Sequence, residues 1–228
     1  MSHPILVALD FSDSEEALRL ASELRPFVGG FKVGLELMWS TGPSLISRVA
    51  DLGLPVFADA KLHDIPNTVR GAARALASHG ARWVTVHGAG GSAMVRAAVE
   101  GLDEGGDGAA GALVVTVLTS LDHSDLAETG VWRATEDQVL SMAGLAQQSG
   151  AEGVICSPGE VARLKASFPG LLAVTPGIRP EGSSADDQIR ISTPRAALTS
   201  GADYLVVGRP ITRASDPIAA ARHMASSL

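Results

Sequence analysis

The stretch DAKLHDIPNT, residues 59–68, sets Asp59, Lys61 and Asp64 within six positions, with His63 among them and Pro66 close behind. Carboxylate, ammonium and carboxylate in such a row hold one another's charge. A lysine flanked by aspartates keeps its proton, and an aspartate beside lysines stays ionised. Groups fixed in this way suit the delivery of a proton or the stabilisation of charge that develops beside them. A solvated salt-bridge set is the plainer reading. Position speaks against it, because the apolar run LPVFA at 54–58 leads straight into the cluster.

Lys32 is a second candidate, since it lies inside the apolar segment FKVGL at 31–35, where an uncompensated ammonium is costly to bury. A lysine snorkelling from a strand end is the alternative. His63 and His87 each read better as hydrogen-bonded structural histidines than as reacting groups. Cys156, the only cysteine, reads as a small buried hydrophobe.

Eight short apolar runs must position these groups: ILVAL at 5–9, FKVGL at 31–35, PVFAD at 55–59, WVTVH at 83–87, ALVVTVL at 112–118, GVIC at 153–156, LLAVT at 171–175 and YLVVG at 204–208. Several are nearly continuous rather than alternating, as expected of parallel strands covered on both faces. Amphipathic, alanine-rich segments lie between them. Ser12 with Glu15, and the TEDQ segment at 135–138, have capping-box spacing. Ser157, Thr193 and Asp216 each precede a proline in the manner of an N-cap. Gly53, Gly80, Gly150 and Gly201 follow helical stretches, where a left-handed C-cap favours glycine. Eight strand–helix units in 228 residues predict an α/β fold of the (β/α)8 TIM-barrel type, one domain spanning residues 1–228. An open doubly wound sheet is the structural alternative, and it usually has fewer strands.

Composition narrows the function classes. A formal net charge of −7 argues against a nucleic-acid binder. The N-terminus lacks the pattern of a signal peptide and no apolar run is long enough to span a bilayer, so a soluble cytoplasmic protein without a membrane partner is expected. A single cysteine excludes an intramolecular disulfide and a cysteine metal cluster.

In a barrel of this kind the chemistry sits at the C-terminal strand ends. Those ends supply Asp10, Lys32, the 59–64 cluster, His87 and Thr119 with Ser120. The last two units suggest a phosphate site: Gly177 and Gly208 allow close backbone approach, Arg209 falls where a short helix begins, and Arg179 and Gln188 lie in a loop of about sixteen residues that suggests a lid. HGAGGSA at 87–93 matches a lone glycine-rich phosphate pattern, which is weak without a second half-fold.

DAKLHDIPNT resembles the D-x-K-x-x-D signature of the orotidine 5′-phosphate decarboxylase family. The likeness extends through VALDF at 7–11, FKVGLEL at 31–37, VTVLTS at 115–120, PGIRPEG at 176–182, DDQ at 186–188 and VGRPIT at 207–212. The resemblance, closest to the bacterial form, implies cofactor-free decarboxylation of orotidine 5′-monophosphate to uridine 5′-monophosphate at the end of pyrimidine biosynthesis, in a homodimer with shared active sites. By that resemblance Lys61 protonates pyrimidine C6, and Asp59 lies against the substrate carboxylate. Lys32 completes an array whose last member, Asp64, comes from the partner subunit, with contacts from Ile65 and Thr68. Asp10 and Lys32 address the ribose hydroxyls, while Thr119 and Ser120 lie near the pyrimidine. Arg179, Gln188, Gly208 and Arg209 hold the phosphate. Two other readings stay open, a magnesium-dependent keto-hexulose-phosphate decarboxylase or aldolase and a non-catalytic nucleotide-binding barrel. The magnesium relatives carry a metal-binding glutamate in the region where this chain has Lys32.

Overall fold

A computed structural model describes residues 3–180 and 192–228. Each of the eight apolar runs forms a strand: β1 Ile5–Ala8, β2 Gly30–Val33, β3 Val56–Leu62, β4 Trp83–His87, β5 Gly111–Val115, β6 Gly153–Ile155, β7 Leu172–Thr175 and β8 Tyr204–Val207. They pair in parallel and in chain order, and β8 closes on β1 through Ile5↔Leu205, Leu6↔Val206 and Val7↔Val207. Helices fill the intervals, so the barrel carries a helix layer outside and the expected (β/α)8 architecture holds.

Alternation along each strand divides the core in two. Outward residues such as Val7, Phe31, Val33, Ala58, Val84 and Val114 pack under the helices in one large cluster. Leu6, Ala8, Phe57, Trp83, Leu113, Val174 and Val206 point inward and fill the lower barrel. This is why the strands read as continuous apolar runs: both faces are dry. Fully burying a side chain the size of Leu or Phe contributes about 1.5–3 kcal/mol.

Local signals mostly place the helix ends. Thr193 accepts from the Ala196 N–H at 3.3 Å and Asp216 from the Ala219 N–H at 2.9 Å. The Ser157 N–H donates to the Glu160 carboxylate at 2.7 Å. The four glycines predicted as C-caps have φ between 80° and 103°. Two caps differ. The first helix, Ser14–Leu24, is capped by Asp13, which accepts from the Glu16 N–H at 2.8 Å, rather than by Ser12. In Thr135–Gln148 the cap position falls on Ala134, so Thr135 is already helical. Aspartate caps as well as serine does, so the SDSE stretch holds two equivalent starts and the chain uses the second. No helix among the described residues is long and apolar enough to cross a membrane.

One irregularity matters for the site. Ala58 of β3 pairs with Val84 of β4, yet the next pair is Leu62 with Val86. Four steps along β3 thus match two along β4, a bulge of two residues, and within it Lys61 has φ 52°.

Candidate active site

The inward register carries apolar residues at the base and charged ones at the top. On β3 the sequence of inward positions is Phe57, Asp59, Lys61; on β1 and just beyond it, Leu6, Ala8, Asp10. Lys32 is the inward residue near the end of β2. These groups and the loops beyond the strands line a cavity of about 330 Å3 at the C-terminal mouth, with Thr119, Ser120, Gly177, Arg179, Gly208 and Arg209 also on its wall.

Three of the four array members meet here. The Lys32 Nζ lies 3.1 Å from Asp10 Oδ1 and 3.5 Å from Asp59 Oδ2. Lys61 Nζ donates to Asp59 Oδ1. The Thr85 hydroxyl donates to the same Asp59 oxygen at 2.9 Å and accepts the Lys61 N–H at 2.8 Å. Burial opposes charge on Lys32, but the Asp59 and then the Asp10 carboxylates outweigh it and hold its pKa above the ordinary value. Burial also opposes charge on Asp59. The two ammonium groups and the hydrogen bonds from Lys61 and Thr85 overcome it and keep the carboxyl below the usual range. Lys32 is therefore no snorkelling lysine; it is buried and paired.

At the other side of the cavity, Arg179 is buried, donating from Nη1 to the Ile178 carbonyl at 3.0 Å, and its segment is pinned to Ser192 by the Arg179 N–H at 2.9 Å. Gly208 lies directly before the short helix Arg209–Thr212, as expected. A side chain at Gly208 would meet only Ala8 and Asp10 at ordinary contact distances, so its openness faces the cavity and not a crowded core.

The sequence matches the family described as "Orotidine 5′-phosphate decarboxylase / HUMPS family" over residues 3–224. The chain belongs to that family. It is 50% identical over 228 residues to an orotidine 5′-phosphate decarboxylase of Anaeromyxobacter dehalogenans, covering 100% of this chain and 99% of that one. It is 46% identical over 233 residues to the enzyme of that name from Paramagnetospirillum magneticum, covering 100% and 99%. The crystal structure of orotidine 5′-phosphate decarboxylase from Lactobacillus acidophilus superposes with a TM-score of 0.87 at 41% identity, over 99% of this chain and 98% of that chain.

Not every residue carried over from this decarboxylase family meets the cavity. Asp64, Ile65 and Thr68 are exposed and lie outside it. Asp64 Oδ1 accepts its neighbour's N–H, from Ile65, at 2.6 Å, and Ile65 is 67% exposed. Gln188 and most of the 176–191 loop lie outside the described residues. His63 and His87 stack with ring centroids 5.3 Å apart. Burial, then His63 and Lys61, lower the His87 pKa from its usual 6.5. Cys156 is buried with its thiol pushed up to about 12, chiefly by burial, and behaves as a small hydrophobe. The described residues include no group of three acidic, histidine or cysteine side chains placed to hold a metal ion.

Two residues not singled out as site candidates from the sequence also shape the site. Thr85 is one. Gly34 is the other: a Cβ there would sit 2.7 Å from Lys32 Nζ and 3.0 Å from Asp10 Oδ1, so any other residue would push that ion pair from its present place. A glycine just past a strand bearing a buried lysine was the available signal.

Proposed function

We propose that this family member removes the carboxylate of orotidine 5′-monophosphate, giving uridine 5′-monophosphate and CO2 without a metal or cofactor. The observation that carries this reading is the Lys32–Asp59–Lys61 array, buried at Lys32 and partly buried at the other two, on the wall of the cavity.

The bond from C6 to the carboxylate breaks, CO2 departs, and the electron pair remains on a ring carbon that no adjacent carbonyl relieves. A preorganised cation is the most effective partner for such charge in a water-poor site. Lys61 supplies it and then transfers a proton from Nζ to C6, with solvent restoring the proton. Asp59 holds the Lys61 side chain in place through their ion pair, and its own charge beside the departing carboxylate raises the energy of the bound substrate. Asp10 and Lys32 address the ribose, and Thr119 and Ser120 the pyrimidine. Arg179, Arg209 and Gly208 address the phosphate, with Gln188 joining them on the strength of the family resemblance. Binding the phosphate far from C6 contributes to rate only through interactions that tighten on the way to the transition state.

The chain acts in this reading as a homodimer. Asp64, Ile65 and Thr68 stand exposed outside their own cavity and reach the partner's, where Asp64 completes the four-charge array. Lys32 disfavours the magnesium chemistry of other family members, because an ammonium already sits between the two carboxylates that a divalent cation would need.

The deciding experiment follows the absorbance of orotidine 5′-monophosphate mixed with the protein in excess chelator. Consumption with formation of uridine 5′-monophosphate is expected. Loss of activity on chelation would replace this reading with a metal-dependent one, and product binding without substrate consumption would leave a nucleotide-binding barrel.

A further inference from the structure

The bulge in β3 places two inward side chains, Asp59 and Lys61, opposite a single inward residue of β4, Thr85. No residue of β4 pairs with positions 59–61 in the ladder, so the Lys61 N–H needs an acceptor other than a strand carbonyl. Thr85 is fully buried and provides it at 2.8 Å. An amide N–H can only donate, so the hydroxyl must accept in that bond, and its own proton is left for Asp59 Oδ1, 2.9 Å away. Chains of bonds running N–H to O–H to carboxylate strengthen one another in a dry interior. The same hydroxyl thus fixes two things: the rotation of the carboxylate that two lysines share, and the backbone of Lys61. At φ 52° Lys61 occupies a region that residues with side chains adopt at a cost, and it stays there only if its surroundings hold it.

We propose that Thr85 is a positioning residue of the reaction, its one hydroxyl aligning Asp59 and holding the Lys61 backbone so that the ammonium meets the substrate carbon; this rests on the decarboxylase reading above. It is not on the cavity wall itself. Valine reproduces its shape and neither bond, whereas serine keeps both bonds and loses a methyl group.

Steady-state kinetics on orotidine 5′-monophosphate separate the outcomes. Thr85→Val is expected to lower kcat about 10- to 100-fold, the scale of a misplacement near 1 Å. KM and the affinity for uridine 5′-monophosphate should stay within about threefold, because the lost interaction acts on the transition state. Thr85→Ser should recover most of kcat. A Val variant with kcat within about twofold of wild type would overturn the proposal, as would a Ser variant impaired as much as Val. If the Val variant does not fold, Thr85→Ala, which cannot clash, is judged by the same two criteria. A crystal structure of the folded variant decides the matter without turnover. Asp59 rotated away from Lys61, or Lys61 returned to negative φ, supports the role, and an unchanged array refutes it. That readout stands even if wild-type protein leaves the substrate untouched, which would refute the decarboxylase reading alone.

Discussion

The two ends of the barrel handle charge in opposite ways. At the base, Arg82 ahead of β4 clasps Glu152 ahead of β6 through two N–H···O bonds, one of 2.6 Å, and its guanidinium lies 4.7 Å over the Trp83 ring. Lys165 donates to Asp203 at 2.8 Å, and the same carboxylate oxygen takes the Ala173 N–H at 2.7 Å. Each cation there meets one carboxylate, with side chains a quarter to a third in solvent, and the result ties the starts of strands together. At the mouth, two ammonium groups share Asp59, whose side chain is 13% exposed, and Asp10 stands half out in the cavity. Paired charges at the base are staples that an apolar contact could replace. Shared charges at the mouth make a poor staple and a well-aimed field.

That contrast yields a ranked set of expectations. Lys61→Ala should lower kcat by at least about 10³-fold, the combined scale of general-acid and electrostatic losses, while the melting temperature moves by only a few degrees. A variant turning over near the wild-type rate would show that the mouth is no more than a second staple. Next, in the proposed shared-site homodimer, neither Lys61→Ala nor Asp64→Ala protein should be active by itself. Mixing them should restore about a quarter of the sites, since half of randomly formed dimers are hybrid and one site in each is intact. If confirmed subunit exchange gives no rescue, Asp64 does not serve the neighbouring cavity.

At the base the effect reverses. Arg82→Met should leave kcat unchanged and lower the free energy of unfolding by about 1 kcal/mol, as partly exposed pairs and cation–π contacts usually contribute. A large fall in kcat in that variant would erase the distinction between the two ends. The smallest effect concerns pH. Folding lowers the His87 pKa, so below its usual 6.5 the unfolded chain takes up the proton first and stability declines as pH falls. Urea titrations should show a shallow loss of stability below neutrality that His87→Gln flattens. Asp59 acts lower on the scale. Its folded pKa is depressed, so its contribution persists down to its usual value of 3.8 and disappears only as pH falls further.

Much of this was legible in the residues alone. Dry strands announce themselves through continuous apolar runs, so all eight could be placed, along with the polar groups at their ends. Helix starts at Ser157, Thr193 and Asp216 were readable because a proline after a capping residue permits few alternatives. SDSE permitted two, and the cap fell on Asp13. Thr85 was invisible for a different reason. A threonine in a strand is ordinary, and what makes this one matter is a bulge on the neighbouring strand that no local pattern marks. The exposure of Asp64, Ile65 and Thr68 was equally out of reach, since it depends on how the chain leaves β3, while the resemblance alone tied them to a partner subunit.

The bulge in β3 also has a consequence for parity. Sidedness in a strand flips with every residue, so one extra residue would turn Leu62 inward and reverse everything beyond it. Two extra residues restore the phase: Ala58 and Leu62 both face the helices, and the outer core pairs Leu62 with Val86 as if nothing had intervened. A strand lengthened by an even count gains one inward side chain without reassigning any other. Here that additional side chain is either Asp59 or Lys61, and the barrel carries one more charged group at its mouth than eight regular strands would allow.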